Sequence, residues 1–487
     1  MTSLLRRLVS SLAAYQVADF VSKFIAVLLL PVYTRYINPS GYGTVELLAN
    51  GVIFVSILIR FGMIEAFLRF HFTDADPGRR NALARRAVVF LLISSTVGAL
   101  ALAAAAAPLS RLVLGHRDVT IFRIAVLGLW TFTNLELAYG LLRVDERLRA
   151  YATASLINVL LTIASSVVLV VVLHQGARGL LLGNYASSTV VLLGLWWTMR
   201  HQLLGPRQGR AESLPVLLRF GVPTVPAELS VYALSIIDRY YVYHQLSAAL
   251  AGLYSVAIKL AGTVAFIVRA FQYAWPPLAY SITDDAQAAR FYGLVTTLYV
   301  LISGWAVAAM TLLGRWILRL LTTPQFAGAF RALPWVSLGW ALYGLWVVFL
   351  VIAGRAQVTR RNVPASVAGL VVNVGLIVLL VPPLGIAGAG IALCGAYLVM
   401  LSVMYVLTRS AFRVRFEWGR LTQVVALTGG LTVAGELLLP THGAVGLLTR
   451  VAVLIAIPAA LLATGFVHPE ERAAARGLWL RVRERRA

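Results

Sequence analysis

The chain has 487 residues, of which 60% are hydrophobic and only 13% are charged. Soluble domains are about half apolar and about one quarter charged, so these proportions exclude a soluble protein and indicate an integral membrane protein. A formal charge of +23 would suit nucleic acid, but the arginines form short clusters between apolar segments and no basic stripe, which argues against that partner.

Fourteen apolar segments are long enough to cross a bilayer as helices, since each crossing needs about 20 mostly apolar residues. In chain order they span residues 10–34, 43–70, 84–107, 119–142, 150–173, 178–199, 216–243, 252–281, 289–313, 327–354, 363–382, 386–408, 421–439 and 444–467. The first follows two arginines, as a signal peptide would. Its apolar run is too long for a signal sequence and contains Asp19 and Lys23, so we expect it to remain as the first helix.

Arginine clusters lie in alternate loops, where the positive-inside rule places the cytoplasm. They precede the third, fifth, seventh, eleventh and thirteenth segments, and further arginines follow the last one. We therefore predict a protein of the cytoplasmic membrane with both termini inside the cell. Arg315, Arg319 and Arg331 are exceptions, because they fall in or next to a connection that this topology places outside. The basic tail, 468–487, either lies on anionic membrane lipids or serves as a topology anchor.

Two stretches of the sequence repeat. Residues 37–52 align with 246–262, matching Gly43 to Gly252, and the same shift matches Arg60 to Arg269. Farther along, 155–179 resembles 367–390. An even number of helices in each repeat keeps the two halves in the same orientation, so an axis along the membrane normal relates them. The fold predicted is all-α, with a six-helix lobe in residues 1–200, a cytoplasmic linker in 201–213, a second six-helix lobe in 214–410 and two appended helices in 411–467.

Ionisable and polar side chains recur at helical spacing on the first, second, seventh and eighth segments. On the seventh this spacing predicts one shared face with Glu228, Tyr232, Ser235 and Arg239. A charge at membrane depth costs about 2.5–3.5 kcal/mol, so it should face a cavity or a partner. Guanidinium groups bind phosphate oxygens through paired hydrogen bonds, and a lysine acts as a point charge. We expect a polar cavity suited to an anionic group, and the candidate substrate-binding residues are Arg60, Lys259, Arg269, Lys23, Arg239 and Asn50.

A structural interpretation of the same cations stays open: they could neutralise Glu46, Asp19 or Asp238, or extend to the membrane interface. The candidate coupling sites for a proton or cation are Asp19, Glu46 and Glu228. Asp238 and Arg239 are adjacent, hence turned about 100° apart on a helix, and need not pair. Asp238 is either a gate or part of a structural network.

Enzyme motifs are missing from the sequence. It contains no Walker A pattern, no metal-spaced His or Cys cluster and no GxSxG. We therefore predict a transporter without a cofactor, driven by an ion gradient, the membrane potential or substrate gradients.

Several motifs resemble those of a known family. GVPTVPAELSVYALSIIDRYYVYHQLSAALAGLYSVAIKLA resembles the seventh and eighth helices of polysaccharide transporters in the multidrug/oligosaccharidyl-lipid/polysaccharide exporter superfamily, and RYINPSGYGTVELL, FGMIEAFLRFHF and FQYAWPPLAYS resemble flanking parts of those proteins. The resemblance covers residues 10–410. It implies a flippase that carries a polyprenyl-diphosphate-linked oligosaccharide to the outer leaflet, with other polysaccharide-assembly membrane proteins as candidate partners.

Three alternatives remain from the sequence. A peptidoglycan-precursor flippase would handle a similar head group. A cation-coupled drug or metabolite exporter of the same superfamily should have an acid-dominated cavity, whereas this sequence pairs basic residues. A membrane glycosyltransferase or polymerase should carry a sizeable outer loop with catalytic acidic groups or histidines, and the connections here are too short for one.

Overall fold

The computed structural model describes residues 27–72, 76–204 and 212–466. Within these ranges the chain folds into helices and contains no β-strand. Helices satisfy every backbone polar group internally, as a bilayer core without water requires. Twelve of the described helices are long and apolar enough to cross a membrane.

The helices before residue 246 are, in chain order, α1 Leu30–Tyr36, α2 Pro39–Arg60, α3 Met63–His71, α4 Pro77–Ala104, α5 Ala106–Leu114, α6 Val119–Val144, α7 Leu148–Val167, α8 Gly176–Thr198, α9 Arg200–Leu204, α10 Leu214–Gly221 and α11 Val225–Gln245. A π-helical turn, Val168–Val172, extends α7, and a short 3₁₀ turn, Val222–Thr224, joins α10 to α11.

The later helices are α12 Ala248–Ser281, α13 Asp285–Leu321, α14 Leu333–Arg355, α15 Asn362–Leu384, α16 Ile386–Thr408, α17 Trp418–Leu438 and α18 Gly443–Ala463. Two further 3₁₀ segments, Pro324–Arg331 and Thr359–Arg361, precede α14 and α15.

The twelve spanning helices correspond to twelve of the fourteen predicted segments. The seventh segment is present as α10 and α11, and its charged residues Glu228, Asp238 and Arg239 lower its hydropathy. Most of the first segment, with Asp19 and Lys23, lies outside the described residues. The basic tail and the middle of the linker also lie outside them.

The second predicted segment is broken, which its composition did not reveal. Phe61 and Gly62 both have left-handed backbone conformations, with φ of 49° and 66°, and they end α2 and start α3. Gly62 then approaches Gly221 so closely that a Cβ atom on Gly62 would lie 2.0 Å from the Gly221 carbonyl oxygen. A side chain at either glycine would separate α3 from α10.

The described residues form two compact units. One contains those up to Ser255 together with Leu321–Phe326, and the other contains Val256–Leu320 and those from Ala327 onward. In the first unit α11 packs against α2. The lobe boundaries inferred from the duplication stay a prediction.

Each unit has its own apolar core. In the first, α3, α4 and α8 bury Phe67, Leu91 and Leu192 completely. In the second, one cluster centres on the buried Trp275 and Tyr292. Another joins α13 to α17 and α18 through a set of buried side chains that includes Ala308, Leu312, Val424, Leu454, Ile457 and Leu461.

A buried charge network also ties α13, α17 and α18 together. Arg450 has no exposed surface and pairs with Glu436, whose other oxygen lies 2.8 Å from Nη2 of Arg315. Arg319 donates to the carbonyl oxygen of Thr441 at 3.4 Å. Two of the three arginines that break the positive-inside pattern therefore have partners at the facing ends of α17 and α18.

Candidate functional site

Polar side chains of α11 contact polar side chains of α2 along most of their length. Early residues of α11 meet late residues of α2, and late residues of α11 meet early ones, so the two helices run antiparallel. We call this row of contacts the polar seam, and its members are Thr44, Asn50, Arg60, Glu228, Tyr232, Arg239 and Tyr243.

One end of the polar seam is an ion pair between Arg60 and Glu228. Nη2 of Arg60 donates to Oε1 of Glu228 at 2.6 Å, and Arg60 is only 6% exposed. Arg60 is in the last turn of α2 and Glu228 in the first turn of α11, so each charge complements the dipole of its own helix. Among the described residues the partner of Arg60 is thus Glu228. The structural interpretation had named Glu46, Asp19 and Asp238, of which Asp19 lies outside the described residues.

Asn50 forms the centre of the polar seam. Its Oδ1 accepts from Nη1 of Arg239 at 2.6 Å and from the Tyr232 hydroxyl at 3.1 Å, while its Nδ2 donates to the Glu46 carbonyl oxygen at 2.7 Å. The amide therefore uses both of its ends. The face of α11 predicted to carry Glu228, Tyr232 and Arg239 together is the one that meets α2.

Two guanidinium donors in the seam are still unused. Nε of Arg60 and Nε of Arg239 are buried without a hydrogen-bond partner among the described residues. A buried unpaired N–H group costs about 1–3 kcal/mol. Each of these arginines can therefore donate a further hydrogen bond to an anionic or carbonyl oxygen, and that bond would remove the cost of the unpaired N–H group.

Asp238 lies on another side of α11 and makes different contacts. It is 5% exposed, and its Oδ2 accepts from the Tyr254 hydroxyl at 2.6 Å. Its Oδ1 accepts from the backbone N–H of Arg239 at 2.7 Å. Both carboxylate oxygens of Asp238 are therefore held by hydrogen bonds, which supports a structural role.

The other predicted residues are not part of the seam. Lys259 and Arg269 lie on the portion of α12 that belongs to the second unit, where both are half-buried and both interact with other groups. Glu46 lies one turn from Asn50 and is also engaged. Asp19 and Lys23 fall outside the described residues.

Glu136 is an intramembrane carboxylate that the sequence reasoning missed. It lies in α6 and lines a cavity of about 300 Å³ in the first unit, with Asn158, Asn184 and Ser188 among the other lining residues. Within the described part of the chain Glu136 makes no hydrogen bond or ion pair. A carboxylate inside the predicted segment 119–142 is itself a sign of a functional position. The helical spacing of polar residues was predicted only for the first, second, seventh and eighth segments.

Across the described ranges no group of three or more His, Cys, Asp or Glu side chains is placed to hold a metal ion.

Ionisable side chains inside membrane spans commonly mark a substrate or ion pathway, which points to the class of membrane transporters. The sequence model of the polysaccharide biosynthesis protein family matches residues 32–331, which is more than half of the chain. The chain belongs to this family. No curated protein matches the sequence.

Solved structures define the fold. The lipid II flippase MurJ in an inward closed conformation matches with a TM-score of 0.73 at 11% identity, covering 94% of this chain and 99% of that one. An inward-facing multidrug resistance MATE family transporter of the MOP superfamily matches with a TM-score of 0.61 at 15% identity, covering 82% and 93%. A Vibrio cholerae MATE transporter, VcmN in its bent form, matches with a TM-score of 0.54 at 14% identity, covering 85% and 98%. The chain shares the MurJ and MATE transporter fold.

Proposed function

We propose that the protein is a flippase that moves a polyprenyl-diphosphate-linked oligosaccharide from the inner to the outer leaflet of the cytoplasmic membrane by alternating access. The family supports a role in polysaccharide biosynthesis, and the fold is one that a lipid flippase also has. Both termini are proposed to be cytoplasmic, as the arginine clusters predict.

The Arg60–Glu228 ion pair is the observation that carries the proposal. At 1.5 Å per residue, α2 is about 33 Å long and α11 about 31 Å, so each is long enough to cross the hydrocarbon core. The ion pair therefore lies at one end of both spans. The proposed topology makes this the cytoplasmic end, which a head group arriving from the inner leaflet reaches first.

Arg60 suits a diphosphate because its guanidinium fork matches phosphate geometry and one of its donors is unused. A diphosphate carries more charge than one carboxylate and competes with Glu228 for the same cation. Glu228, once released, is free to take up a proton or a cation. This exchange would link substrate binding to an ion gradient.

Arg239 and Asn50 extend the proposed path along the seam. The positive potential along this path is proposed to include contributions from Lys259, Arg269 and Lys23. Further candidates for coupling are Asp19, Glu46 and, from the structure, Glu136.

A charge exchange tests the role of the ion pair. We expect Arg60→Ala and Glu228→Gln to abolish cell-surface polysaccharide at matched membrane abundance and to cause accumulation of the lipid-linked precursor. The exchange of both, Arg60→Glu with Glu228→Arg, keeps the pair but moves the cation to the other helix. If Arg60 binds the diphosphate, the exchange restores abundance and thermal stability without restoring transport.

Full transport by the exchanged protein would show that the pair is only structural. Asp118→Asn is the control, because its partner Arg178 is more than half exposed and its loss should leave transport unchanged. Mass spectrometry of the accumulated lipid identifies the substrate: a peptidoglycan precursor would favour the related flippase activity. Drug sensitivity without any lipid accumulation would favour an exporter.

A further inference from the structure

A basic groove lies on the second unit, away from the polar seam. It has a volume of about 1010 Å³ and is formed by the loop 409–417, the start of α13 and the ends of α14 and α16. Sites for small molecules usually have volumes of about 300–1000 Å³, so this groove is at the upper limit. Its cations are Arg409, Arg413 and Arg415.

Apolar and basic residues alternate along this loop, which leaves the side chains of two of its arginines exposed. Phe412, Val414 and Phe416 pack inward on the apolar core, whereas Arg413 and Arg415 are exposed between them. The backbone N–H of Arg415 donates to the Ala289 carbonyl oxygen at 3.1 Å.

Gly293 of α13 allows this close approach, because a Cβ atom there would lie 2.1 Å from the Arg415 carbonyl oxygen. The loop is therefore fixed against α13 at a defined register.

The arginines of the groove differ from the arginine beneath it. Arg355 is fully engaged: it bonds both Asp285, at 2.7 and 3.0 Å, and the Ile282 carbonyl oxygen, and its guanidinium lies 5.3 Å from the Phe412 ring centroid. This pairing neutralises Asp285, the carboxylate that lines the groove.

By contrast, the side chains of Arg409, Arg413 and Arg415 make no hydrogen bond or ion pair within the part of the chain that the structure describes. These three guanidinium groups, without a partner among the described residues, therefore give the groove a net positive charge.

Aromatic rings form one wall. Trp418 is 58% exposed, and its ring centroid lies 5.5 Å from that of Phe416 and 5.7 Å from that of Tyr405. Exposed tryptophan at the start of a spanning helix is typical of the head-group level of a bilayer. The nine residues from 409 to 417 connect the spans α16 and α17, so the groove must lie at the membrane surface.

We propose that this groove binds the phosphate head group of an anionic glycerophospholipid. The free guanidinium groups supply paired hydrogen bonds to phosphate oxygens, and the aromatic wall contacts the glycerol and the first methylene groups. The proposal is independent of the transported substrate, since none of these residues belongs to the seam. It assigns the groove to a resident lipid of the surrounding leaflet.

The test uses native mass spectrometry of the full chain released from nanodiscs that contain phosphatidylglycerol and phosphatidylethanolamine. The groove variant combines Arg409→Gln, Arg413→Gln and Arg415→Gln. The matched control combines Arg143→Gln, Arg147→Gln and Arg149→Gln, three arginines around the turn between α6 and α7 on the same predicted face. Because each basic residue near an anionic surface strengthens binding by about fivefold, we expect the loss of three to weaken phosphatidylglycerol binding on the order of 100-fold.

The control should retain phosphatidylglycerol as the native protein does. Equal losses in both triple variants would overturn the proposal, because they would indicate only a general attraction to basic loops. Displacement of the lipid by inorganic phosphate alone would assign the groove to a soluble ligand, and preferential displacement by a polyprenyl diphosphate would assign it to the transported substrate. A variant with lysine at all three positions, which keeps the charge, checks folding and should retain part of the lipid.

Discussion

Gly43 and Gly252, which the internal duplication aligns with each other, pack backbone to backbone at the starts of α2 and α12. A Cβ atom on Gly43 would lie 2.0 Å from the Ala248 carbonyl oxygen, and one on Gly252 would lie 2.0 Å from the Pro39 carbonyl oxygen. The same shift also aligns Pro39 with Ala248. The contact is therefore reciprocal, as contacts across a twofold axis are.

Alanine at either glycine should separate the two helix starts. We expect Gly43→Ala and Gly252→Ala each to cost about 1–3 kcal/mol of stability, the usual range for overpacking, and to lower the melting temperature of the purified protein. Gly51→Ala and Gly262→Ala are matched controls on the same two helices, since nothing lies within 4 Å of a Cβ atom at those positions. Equal melting temperatures for all four variants would contradict the close contact.

Removing the carboxylate of Glu436 should strongly destabilise the α13–α17–α18 network. Glu436→Gln leaves the fully buried Arg450 without a counter-ion, and breaking a buried pair in this way costs about 3–5 kcal/mol. Thermal unfolding should show the loss, and adding Arg450→Leu should recover most of it. Asp118→Asn, which breaks an exposed pair, should cost less than about 1 kcal/mol. A Glu436→Gln protein as stable as the Asp118→Asn protein would exclude a structural role for the network.

Glu136 should take part in coupling if its cavity holds a proton or a cation during transport. Glu136→Gln preserves the shape of the side chain but removes its charge. In vesicles, we expect transport driven by an imposed proton or sodium gradient to fall to the rate seen without a gradient, while substrate exchange at equilibrium continues. Glu146→Gln, in an exposed loop, is the control. An unchanged gradient dependence in Glu136→Gln would leave the residue with a packing role only.

The topology can be tested with an impermeant thiol reagent in a Cys394→Ser background, where the removed cysteine is buried. A cysteine at Gln245 should be labelled in intact cells, and one at Arg147 only after the membrane is opened. Both positions are exposed in the structure, whereas Ala248 packs against Gly43 and is a poor site for a probe. Labelling of position 147 in intact cells would reverse the predicted orientation.

The spans were predictable because length and hydropathy determine them. The twelfth predicted segment, 386–408, coincides with α16 at both ends. The break after Arg60 was not predictable in the same way, because Phe61 is a bulky residue that seldom adopts a left-handed backbone conformation. Gly62 is a residue that commonly follows a helix end, but a single glycine inside an apolar stretch does not by itself show that the helix breaks there.

The candidate site was only partly predictable. Helical periodicity correctly placed Glu228, Tyr232 and Arg239 on one face, but it could not identify the helix that this face meets. The partnership of Arg60 with Glu228 joins residues far apart in sequence, and it depends on packing between helices that are not neighbours along the chain. The positive-inside rule considers only loop arginines and so treats Arg315 as a surface charge. Its partner Glu436 lies in α17, one of the two appended helices, which have no counterpart in the internal duplication.

The position of Glu436 also limits how the chain can be shortened. Arg315 lies in α13, yet the carboxylate that neutralises it is supplied by α17. A protein truncated after α16 would lose this carboxylate and the covering surface of α17 and α18, and would leave a bare cation facing lipid. A version of this protein that ends after α16 would therefore need an uncharged residue at position 315. The helices α17 and α18 and that arginine should therefore be gained or lost together.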